Sequence, residues 1–281
     1  DYDQWAQLGN RGWSYREGLP IFKEMESYRG DGDGEYRGRD GLLKVNENIE
    51  SGEIYDKLIA AAAEVGIDYT KDYNGASQEG IGMTQATIRN GRRMSTAYCD
   101  LDPARSRSNL KIQANALTER LTFEGKRCTG VRYRQGGQTH EATARREVIV
   151  SAGSINSPQL LELSGIGQAE HLQALGIDVL HELKGVGENL RDHYSPRMKW
   201  SVPRELGLTY NDKGRGLGLF WQALKYAFTD KGLLGLPAAP IRAYVRTREG
   251  LEAPDAAISW IPFLANENFQ LHEQSGITAI T

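Results

Sequence analysis

Residues 148–150 form an unbroken β-branched run, Val-Ile-Val, and three small residues, Ser151–Gly153, follow at once. A run of this kind predicts a strand buried on both faces of a parallel sheet. The small residues allow another group to approach the backbone closely. Ser157 is a suitable N-cap with Pro158 at the first helical position, three leucines supply a short helix, and Gly165 can end it.

A strand, a small-residue turn and a helix start in this order present unpaired backbone N–H groups to a nucleotide or phosphate. An ordinary strand-to-helix connection in an α/β domain explains the same pattern. Residues 148–163 therefore predict an α/β domain and leave the ligand open.

Length and composition exclude several classes of protein. A chain of 281 residues is long enough for about two domains. With 39% hydrophobic and 25% charged residues, a disordered, collagen-like or coiled-coil chain is excluded. The net charge of −3 disfavours a nucleic-acid partner. No apolar run reaches the length of a membrane span, because the best stretch covers only residues 232–241.

The chain ends and the cysteines suggest the context of the protein. No signal peptide is visible at Asp1, and both ends predict a fragment of a longer chain. Cys99 and Cys128 are the only cysteines. Two free buried thiols in a cytoplasmic protein are favoured over a single disulfide.

Two kinds of metal site are disfavoured. Asp31, Asp33 and Glu35 lie in a glycine-rich stretch, but a calcium loop wants glycine immediately after the third acidic ligand, and Tyr36 stands there. A solvated surface loop is the favoured interpretation of residues 28–41. Zinc is disfavoured because the chain has no CxxC pair and no HExxH.

Two helices are predicted from apolar spacing. The first spans residues 51–66, with Ser51 as N-cap, Gly66 as the stop, and an apolar face of Ile54, Leu58, Ala61, Ala62 and Val65. The second lies between Leu217 and Phe228, and its stripe of Phe220, Trp221, Leu224 and Phe228 predicts core packing. Core packing is also favoured over a substrate pocket for Trp200, Trp221 and Trp260.

Alternating apolar residues predict strands in the middle of the chain. Residues 110–116 alternate, the alternation resumes at Leu121 and Phe123, and it continues through Val131 and Tyr133. Turns are predicted at residues 124–126 and 136–137.

The segment Gly153–Gly167, GSINSPQLLELSGIG, resembles the second signature of the glucose–methanol–choline (GMC) flavin oxidoreductases at every defined position. Flanking segments resemble the family in the same order: Gly12–Tyr15 with Leu19-Pro20, Asn90–Arg93 with Ser95–Ala97, and Gly185–His193. The resemblance is dense over about residues 1–193, and its nearest subgroup is choline dehydrogenase-like alcohol dehydrogenases.

The resemblance implies an α/β plus α+β fold. A partial FAD-binding domain would carry a parallel sheet, and a substrate domain would carry an antiparallel sheet with helices on one face. The implied segments are 1–41 (an extension near the FAD lid), 42–88 (substrate domain), 89–193 (FAD-binding domain) and 194–281 (substrate domain again).

The resemblance also implies FAD as cofactor, a small-molecule alcohol as substrate, and a few cofactor contacts. The turn Ser151-Ala152-Gly153 would lie beside FAD, and the backbone of Leu117 and Thr118 would meet the adenine edge. Arg92, Arg93 and Ser95 fall in the family's segment near the cofactor, although arginines pairing with carboxylates at a domain junction explain them equally well.

The family's strand–GxGxxG–helix motif is missing from these residues, and no catalytic histidine is carried over. His193 follows Asp192 directly, so the two side chains need not meet, and a catalytic role is disfavoured. The sequence therefore predicts an internal segment of an FAD-dependent alcohol dehydrogenase or oxidase that is inactive by itself. The alternatives are a non-catalytic α/β binding module and a member with non-redox chemistry on the same scaffold.

Overall fold

The computed structural model describes residues 1–47, 52–268 and 270–281. The chain forms two compact units: unit 1 contains Asp1–Arg107 and Tyr194–Thr281, and unit 2 contains Ser108–His193. The mixed α/β fold class is confirmed, with both parallel and antiparallel strand pairs. The division into four family-like segments stays a prediction.

The α-helices in the described part of the chain are α1 Tyr2–Gln7, α2 Tyr15–Met25, α3 Glu53–Glu64, α4 Asp102–Ala104, α5 Gly153–Leu163, α6 Ala169–Ala174, α7 Tyr210–Lys213 and α8 Gly216–Thr229. The strands are β1 Glu26–Arg29, β2 Leu43–Glu47, β3 Gly80–Met83, β4 Gln85–Ala86, β5 Ile88–Arg89, β6 Arg92–Arg93, β7 Leu117–Glu124, β8 Arg127–Gln135, β9 Gln138–Thr143, β10 Ile166–Gly167, β11 His181–Glu182, β12 Arg197–Ser201, β13 Ile241–Val245, β14 Ala256–Ile261 and β15 Gly276–Ile280.

Unit 1 is built on a five-stranded antiparallel sheet with strand order β12-β15-β14-β13-β3. Alternation along β13 places Ile241 and Ala243 on one face, and α3 packs against that face. The buried core residues there are Ile54, Tyr55, Ala62, Ile81, Ile241 and Ala243. The non-local strand pairs bring residues 80–83 and 241–245 into one sheet.

The structure confirms most of the prediction for residues 51–66, where helix α3 forms. Gly66 follows the helix with φ +80° and ends it, while the predicted cap Ser51 lies outside the described residues. The apolar face is rotated from the predicted one, since Tyr55 is buried and Val65 is 74% exposed. Ala61 is exposed as well. The reason is that the sheet covers only one side of α3.

A small sheet in unit 1 joins β1 and β2 in parallel and β2 and β4 antiparallel. The loop after β1 is the predicted surface loop at its acidic residues, which are exposed. The prediction is wrong for Tyr28, which belongs to β1 and is 2% exposed, and for Arg37, which is 4% exposed. Asp31 pairs with Lys71 at 2.7 Å, and Asp33 Oδ1 accepts the backbone N–H of Glu35 at 2.8 Å. These acidic residues therefore serve local loop contacts.

Unit 2 contains the antiparallel meander β7-β8-β9. The predicted turns at residues 124–126 and 136–137 are confirmed, with Gly125, Gly136 and Gly137 at positive φ. The prediction for residues 110–116 is wrong, because the first strand begins only at Leu117. The predicted strand over residues 148–150 is also wrong: no described strand pairs with it, and Ile149 is 78% exposed. A doubly buried strand needs neighbouring strands, and β-branched composition alone does not supply them.

Helix α8 forms where it was predicted, but its aromatic stripe is not core. Phe220 is 55% exposed, Trp221 64% and Phe228 84%. Its inward side instead carries Gln222 and Tyr226, whose hydroxyl donates to the Gly91 carbonyl at 3.2 Å. The prediction of core packing is also wrong for Trp200, which is 50% exposed. It is confirmed for Trp260, which packs against the core of unit 1.

Candidate cofactor site

The start of helix α5 is open to solvent. Ser151, Ala152 and Gly153 are all exposed, and a Cβ built on Gly153 would meet nothing within 4 Å. Gly153 has φ +91°, which glycine adopts without the usual side-chain strain. The backbone N–H of Ala152 donates to Ser157 Oγ at 3.0 Å. The helix therefore begins four residues before the predicted cap, and Ser157 supports the turn from inside the helix.

This helix start offers main-chain donors to a ligand. The first N–H groups of an α-helix have no partner within the helix, and the helix dipole makes that end partly positive. Glu and Asp are absent from the first turn of α5. Any bound group at Ser151–Gly153 would therefore meet backbone rather than a charged side chain.

Leu117 and Thr118 open strand β7, which is an edge strand of the meander. Leu117 is 60% exposed and pairs with Arg134, while Thr118 is half-buried and pairs with Tyr133. An edge strand has ladder partners on one side only, so its other side can contact a ligand through the main chain.

The C-terminal end of helix α5, opposite its open start, is hydrogen-bonded to strand β7. The Leu121 N–H donates to Ser164 Oγ at 2.8 Å, and Ser164 Oγ donates to the Leu160 carbonyl at 2.6 Å. Within the described residues no hydrogen bond joins Leu117 or Thr118 to Ser151–Gly153. A cofactor held by main-chain contacts requires accessible backbone. Ser151–Gly153 and Leu117 are exposed and fit that requirement for FAD, whereas Thr118 is half-buried.

Arg92, Arg93 and Ser95 lie in unit 1, in and after the hairpin β5-β6. The Arg92 guanidinium lies over the Tyr98 ring, 5.1 Å from its centroid, and Ser95 Oγ accepts the Tyr98 N–H at 3.3 Å. In the described part of unit 1, no carboxylate lies within ion-pair distance of either arginine. Their alternative role as partners of nearby carboxylates has no support there.

Neither the histidines nor the cysteines form a reactive cluster in the residues described. Asp192 Oδ1 accepts the backbone N–H of His193 at 2.8 Å, and the His193 side chain is exposed. Cys99 is buried and Cys128 half-buried, and both are free thiols, as predicted. No group of three potential metal ligands is found over residues 1–47, 52–268 and 270–281.

Sequence reasoning missed one polar group on the five-stranded sheet of unit 1. Arg242 lies on the face opposite Ile241 and Ala243, where its Nε donates to Ser259 Oγ at 3.1 Å and its Nη1 to Tyr244 Oη at 3.3 Å. No carboxylate of the described residues pairs with this half-buried guanidinium. The alternation of residues 241–245 could have placed Arg242 on the face opposite Ile241, but not beside Ser259.

Unit 1 also contains a cleft of about 460 Å³ that sequence reasoning did not anticipate. Its lining combines Asn90 and Gly91, at the turn of the β5-β6 hairpin, with Thr229 and Asp230, at the end of α8. Asn90 and Asp230 both adopt positive φ, so the cleft wall is made largely of turns.

Comparison with known proteins identifies the family. The sequence profile of GMC oxidoreductases matches residues 1–195. The chain is 39% identical over 265 residues to mitochondrial choline dehydrogenase of Homo sapiens, covering 93% of this chain and 44% of that protein. It is 39% identical over 276 residues to oxygen-dependent choline dehydrogenase 1 of Chromohalobacter salexigens, covering 95% and 48%.

Solved structures agree with the sequence relatives. Formate oxidase of Aspergillus oryzae superimposes with a TM-score of 0.88 over 99% of this chain and 54% of that one, at 20% identity, which supports the fold alone. An FAD-dependent oxidoreductase of Chaetomium thermophilum superimposes with a TM-score of 0.76 at 27% identity, over 86% and 45%. The chain thus spans about half the length of the proteins it matches. The extent of the profile match and the level of identity establish that the chain belongs to the GMC oxidoreductase family.

Proposed function

We propose that the full-length protein oxidises a primary alcohol, choline or another, by hydride transfer to FAD. The match of residues 1–195 to the GMC oxidoreductases carries this proposal. The 39% identity to two proteins named choline dehydrogenase supports an alcohol as the substrate class. The chemistry that FAD supplies in such a protein is acceptance of hydride from the carbinol carbon.

This chain would contribute the adenine side of the FAD site. The backbone of Leu117 and Thr118 would contact the adenine edge, and the turn Ser151–Gly153 would lie beside the cofactor. The exposure of Ser151–Gly153 and Leu117, and the open space at Gly153, support this assignment. No residue of this chain is assigned as catalytic, and no metal is required.

The 281 residues alone are expected to retain FAD weakly and not to oxidise alcohol, because no GxGxxG segment lies among them. A reducing compartment such as the cytoplasm is proposed from the two free thiols. No helix of the described residues is both long and apolar enough to cross a bilayer.

The test uses the full-length protein. Flavin absorbance after gel filtration should show bound FAD, and choline or another primary alcohol should bleach it under anaerobic conditions. A full-length protein without flavin would overturn the proposal and favour a binding module. A flavoprotein that no alcohol reduces would retain the family assignment and contradict the reaction.

A paired substitution tests the cofactor contact. Ala152→Glu places a carboxylate and added bulk at the open start of α5, so the FAD content of the full-length protein should fall about tenfold or more. The N-terminal position of the new charge suits the helix dipole, so folding should be retained. Ala142→Glu, at an exposed position of strand β9, makes the same substitution and should keep the FAD content of the unmodified protein. Equal FAD content in both variants would remove Ala152 from the site.

A further inference from the structure

The five-stranded sheet of unit 1 carries all its charged side chains on one face. One register row crosses β13, β14, β15 and β12 and consists of Arg242, Ser259, Ile280 and Arg197. Directly paired residues share a face of a sheet, and Lys199, two positions beyond Arg197, shares it too. The five strands lie wholly in the described part of the chain, and none contains Asp or Glu. We call Arg197, Lys199 and Arg242 the basic face; its charge favours an anionic ligand.

The Arg242 guanidinium is held in place by neighbouring side chains of unit 1. Its Nε donates to Ser259 Oγ at 3.1 Å, and its Nη1 donates to Tyr244 Oη at 3.3 Å. The Tyr244 ring packs against Tyr73, with 5.1 Å between the ring centroids, and Tyr73 is 5% exposed. Two neutral hydroxyl groups therefore orient the guanidinium, and one of them belongs to a ring that packs against a buried ring.

The chain itself closes the basic face on one side of Arg242. Arg242 pairs directly with Gly82 of β3. A Cβ on Gly82 would collide with the Thr70 carbonyl oxygen, so the backbone before β3 covers that strand. On the other side of Arg242, Ser259 and Ile280 are half-buried and the two cations of β12 are exposed. Arg242 thus lies where the covered part of this face meets the open part.

The Arg242 guanidinium keeps donors for a ligand. Arginine has five N–H donors, of which Ser259 and Tyr244 accept two here, and no described residue accepts a hydrogen bond from Nη2. Burying a cation without a counter-charge costs free energy, which a bound anion offsets. A carboxylate offers two oxygens that match the fork of Nη1 and Nη2. A single guanidinium also balances the one charge of a carboxylate better than the two charges of a phosphate.

We propose that the alcohol oxidised by the full-length protein carries a carboxylate, and that Arg242 binds this group through Nη1 and Nη2. The proposal rests on the proposed function and on the proposed assignment of residues 194–281 to the substrate domain. Arg242 is then a specificity-determining residue that holds the acid group of the substrate. Ser259 and Tyr244 are positioning residues, because they fix the plane of the guanidinium. The same charge disfavours a cationic alcohol such as choline.

The experiment compares hydroxy acids with their neutral amides as substrates of the full-length protein. The pairs are 6-hydroxyhexanoate with 6-hydroxyhexanamide and 8-hydroxyoctanoate with 8-hydroxyoctanamide, which have nearly the same shape and differ by one charge. The acid should have the higher kcat/KM in at least one pair. Arg242→Gln should lower the acid-to-amide ratio of kcat/KM by about tenfold or more, mainly through KM.

Two further variants separate the fork of Arg242 from its charge alone. Arg242→Lys keeps the positive charge and loses the planar fork, so it should retain only part of the acid-to-amide ratio. Arg246→Gln removes one charge from an exposed ion pair with Glu79 and should keep the ratio of the parent. An equal fall in Arg242→Gln and Arg246→Gln would overturn the proposal, because long-range charge would then explain the preference.

A binding measurement separates this inference from the proposed function. Hexanoate has the carboxylate and no hydroxyl, so it should raise the unfolding temperature of the full-length protein without being oxidised, and Arg242→Gln should abolish the rise. A protein that oxidises no alcohol would contradict the proposed function, while hexanoate binding that depends on Arg242 would still support the carboxylate site. No rise with the parent, or the same rise with both proteins, would overturn the inference. Oxidation of neutral alcohols with the same acid-to-amide ratio in parent and Arg242→Gln would keep the proposed function and overturn this inference alone.

Discussion

The backbone N–H of Leu121 donates to the side-chain oxygen of Ser164 at 2.8 Å. Through this bond the meander of unit 2 is fastened to the C-terminal end of helix α5. The same oxygen donates its own proton to the Leu160 carbonyl at 2.6 Å, so one hydroxyl satisfies a strand and a helix at once. Leu121 is 6% exposed and Leu160 9%, which places the junction in the apolar interior of the unit. Ser164 thus gives a structural reason for a serine in the family signature.

Ser164→Ala should lower the free energy of unfolding by about 1–3 kcal/mol. The substitution leaves the buried Leu121 N–H without its acceptor, and water does not replace it readily there. Urea unfolding followed by circular dichroism would measure the loss. Ser108→Ala, at an exposed position of unit 2, should leave the unfolding free energy unchanged. Equal behaviour of the two variants would show that the Ser164 hydroxyl is not a structural link.

Arg37 is the centre of a buried polar cluster in unit 1. Its guanidinium lies over the Tyr28 ring, 3.6 Å from the centroid, and pairs with Glu26 at 2.5 Å and Asp72 at 2.8 Å. The Arg37 side chain is 3% exposed. Burial is the main cause that raises the pKa of the Tyr28 hydroxyl, with the Asp72 carboxylate adding to it. The phenol therefore stays neutral beside the two ion pairs.

Arg37→Met should lower the free energy of unfolding by about 3 kcal/mol, because it leaves the half-buried Glu26 and Asp72 carboxylates without their cation. Lys71→Met also removes one partner of an ion pair, but Lys71 and Asp31 are 70% and 75% exposed. Solvent screens that pair, so the control should unfold like the parent. Thermal and urea unfolding would compare the two variants. A small effect of Arg37→Met would mean that the cluster is hydrated in solution.

Local backbone features were predictable because single residues determine them. Gly66 and Gly165 end helices at positive φ, and the turns at residues 124–126 and 136–137 follow from glycine and polar residues. Helix α3 was predictable from its apolar spacing as well. These signals act over a few residues and need no knowledge of what packs against them.

Burial was less predictable because it depends on distant partners. Val148–Val150 has the composition of an interior strand, yet no described strand pairs with it. The stripe of α8 has the spacing of a core face, yet Gln222 and Tyr226 turn the opposite face inward. Periodicity identifies an apolar face and leaves open what that face meets.

The candidate cofactor site was also predictable only in part. The family signature pointed to Ser151–Gly153, and the structure has these residues exposed at a helix start. Their hydrogen-bond partner Ser157 has a different position in the helix from the one predicted, since Gly153 begins the helix. Arg242 was missed because only the strand pairing with Ser259 reveals its surroundings.

Asp212 is expected to make unit 1 sensitive to acid. Burial acts to raise the pKa of Asp212, but hydrogen bonds from Ser275 and Thr209 outweigh it and hold that pKa below its ordinary range. Thr209 donates its N–H at 3.1 Å and its hydroxyl at 2.7 Å, and the Ser275 hydroxyl binds the other carboxylate oxygen. The ionised carboxyl therefore stabilises the folded state.

Because the folded pKa is depressed, this stabilisation is fully present above the unfolded pKa and is lost as pH falls through the folded one. The free energy of unfolding should fall as pH drops below about 4. Asp212→Asn should make that fall shallower, since the neutral amide does not titrate. Urea unfolding at a series of pH values would measure both slopes. Identical slopes would show that Asp212 does not contribute to acid denaturation.

On the proposed assignment of residues 194–281 to the substrate domain, Arg242 should influence which alcohol the full-length protein accepts. A half-buried guanidinium without a carboxylate partner in the described residues repels a cationic substrate and leaves a neutral one unaffected. Choline and 3,3-dimethylbutan-1-ol have the same shape and differ by one charge. Arg242→Gln should therefore raise the ratio of kcat/KM for choline over the neutral alcohol by about threefold or more.

The matched control is Arg246→Gln, just beyond the end of the same strand. Arg246 is paired with Glu79 at 2.6 Å, so its removal changes the charge of the protein equally but exposes no unpaired cation. The kcat/KM ratio of this variant should equal that of the parent. An equal change in both variants would point to long-range charge rather than to contact with the substrate. No change in either variant would place Arg242 away from the bound alcohol, and its hydrogen bonds to Ser259 and Tyr244 would then be purely structural.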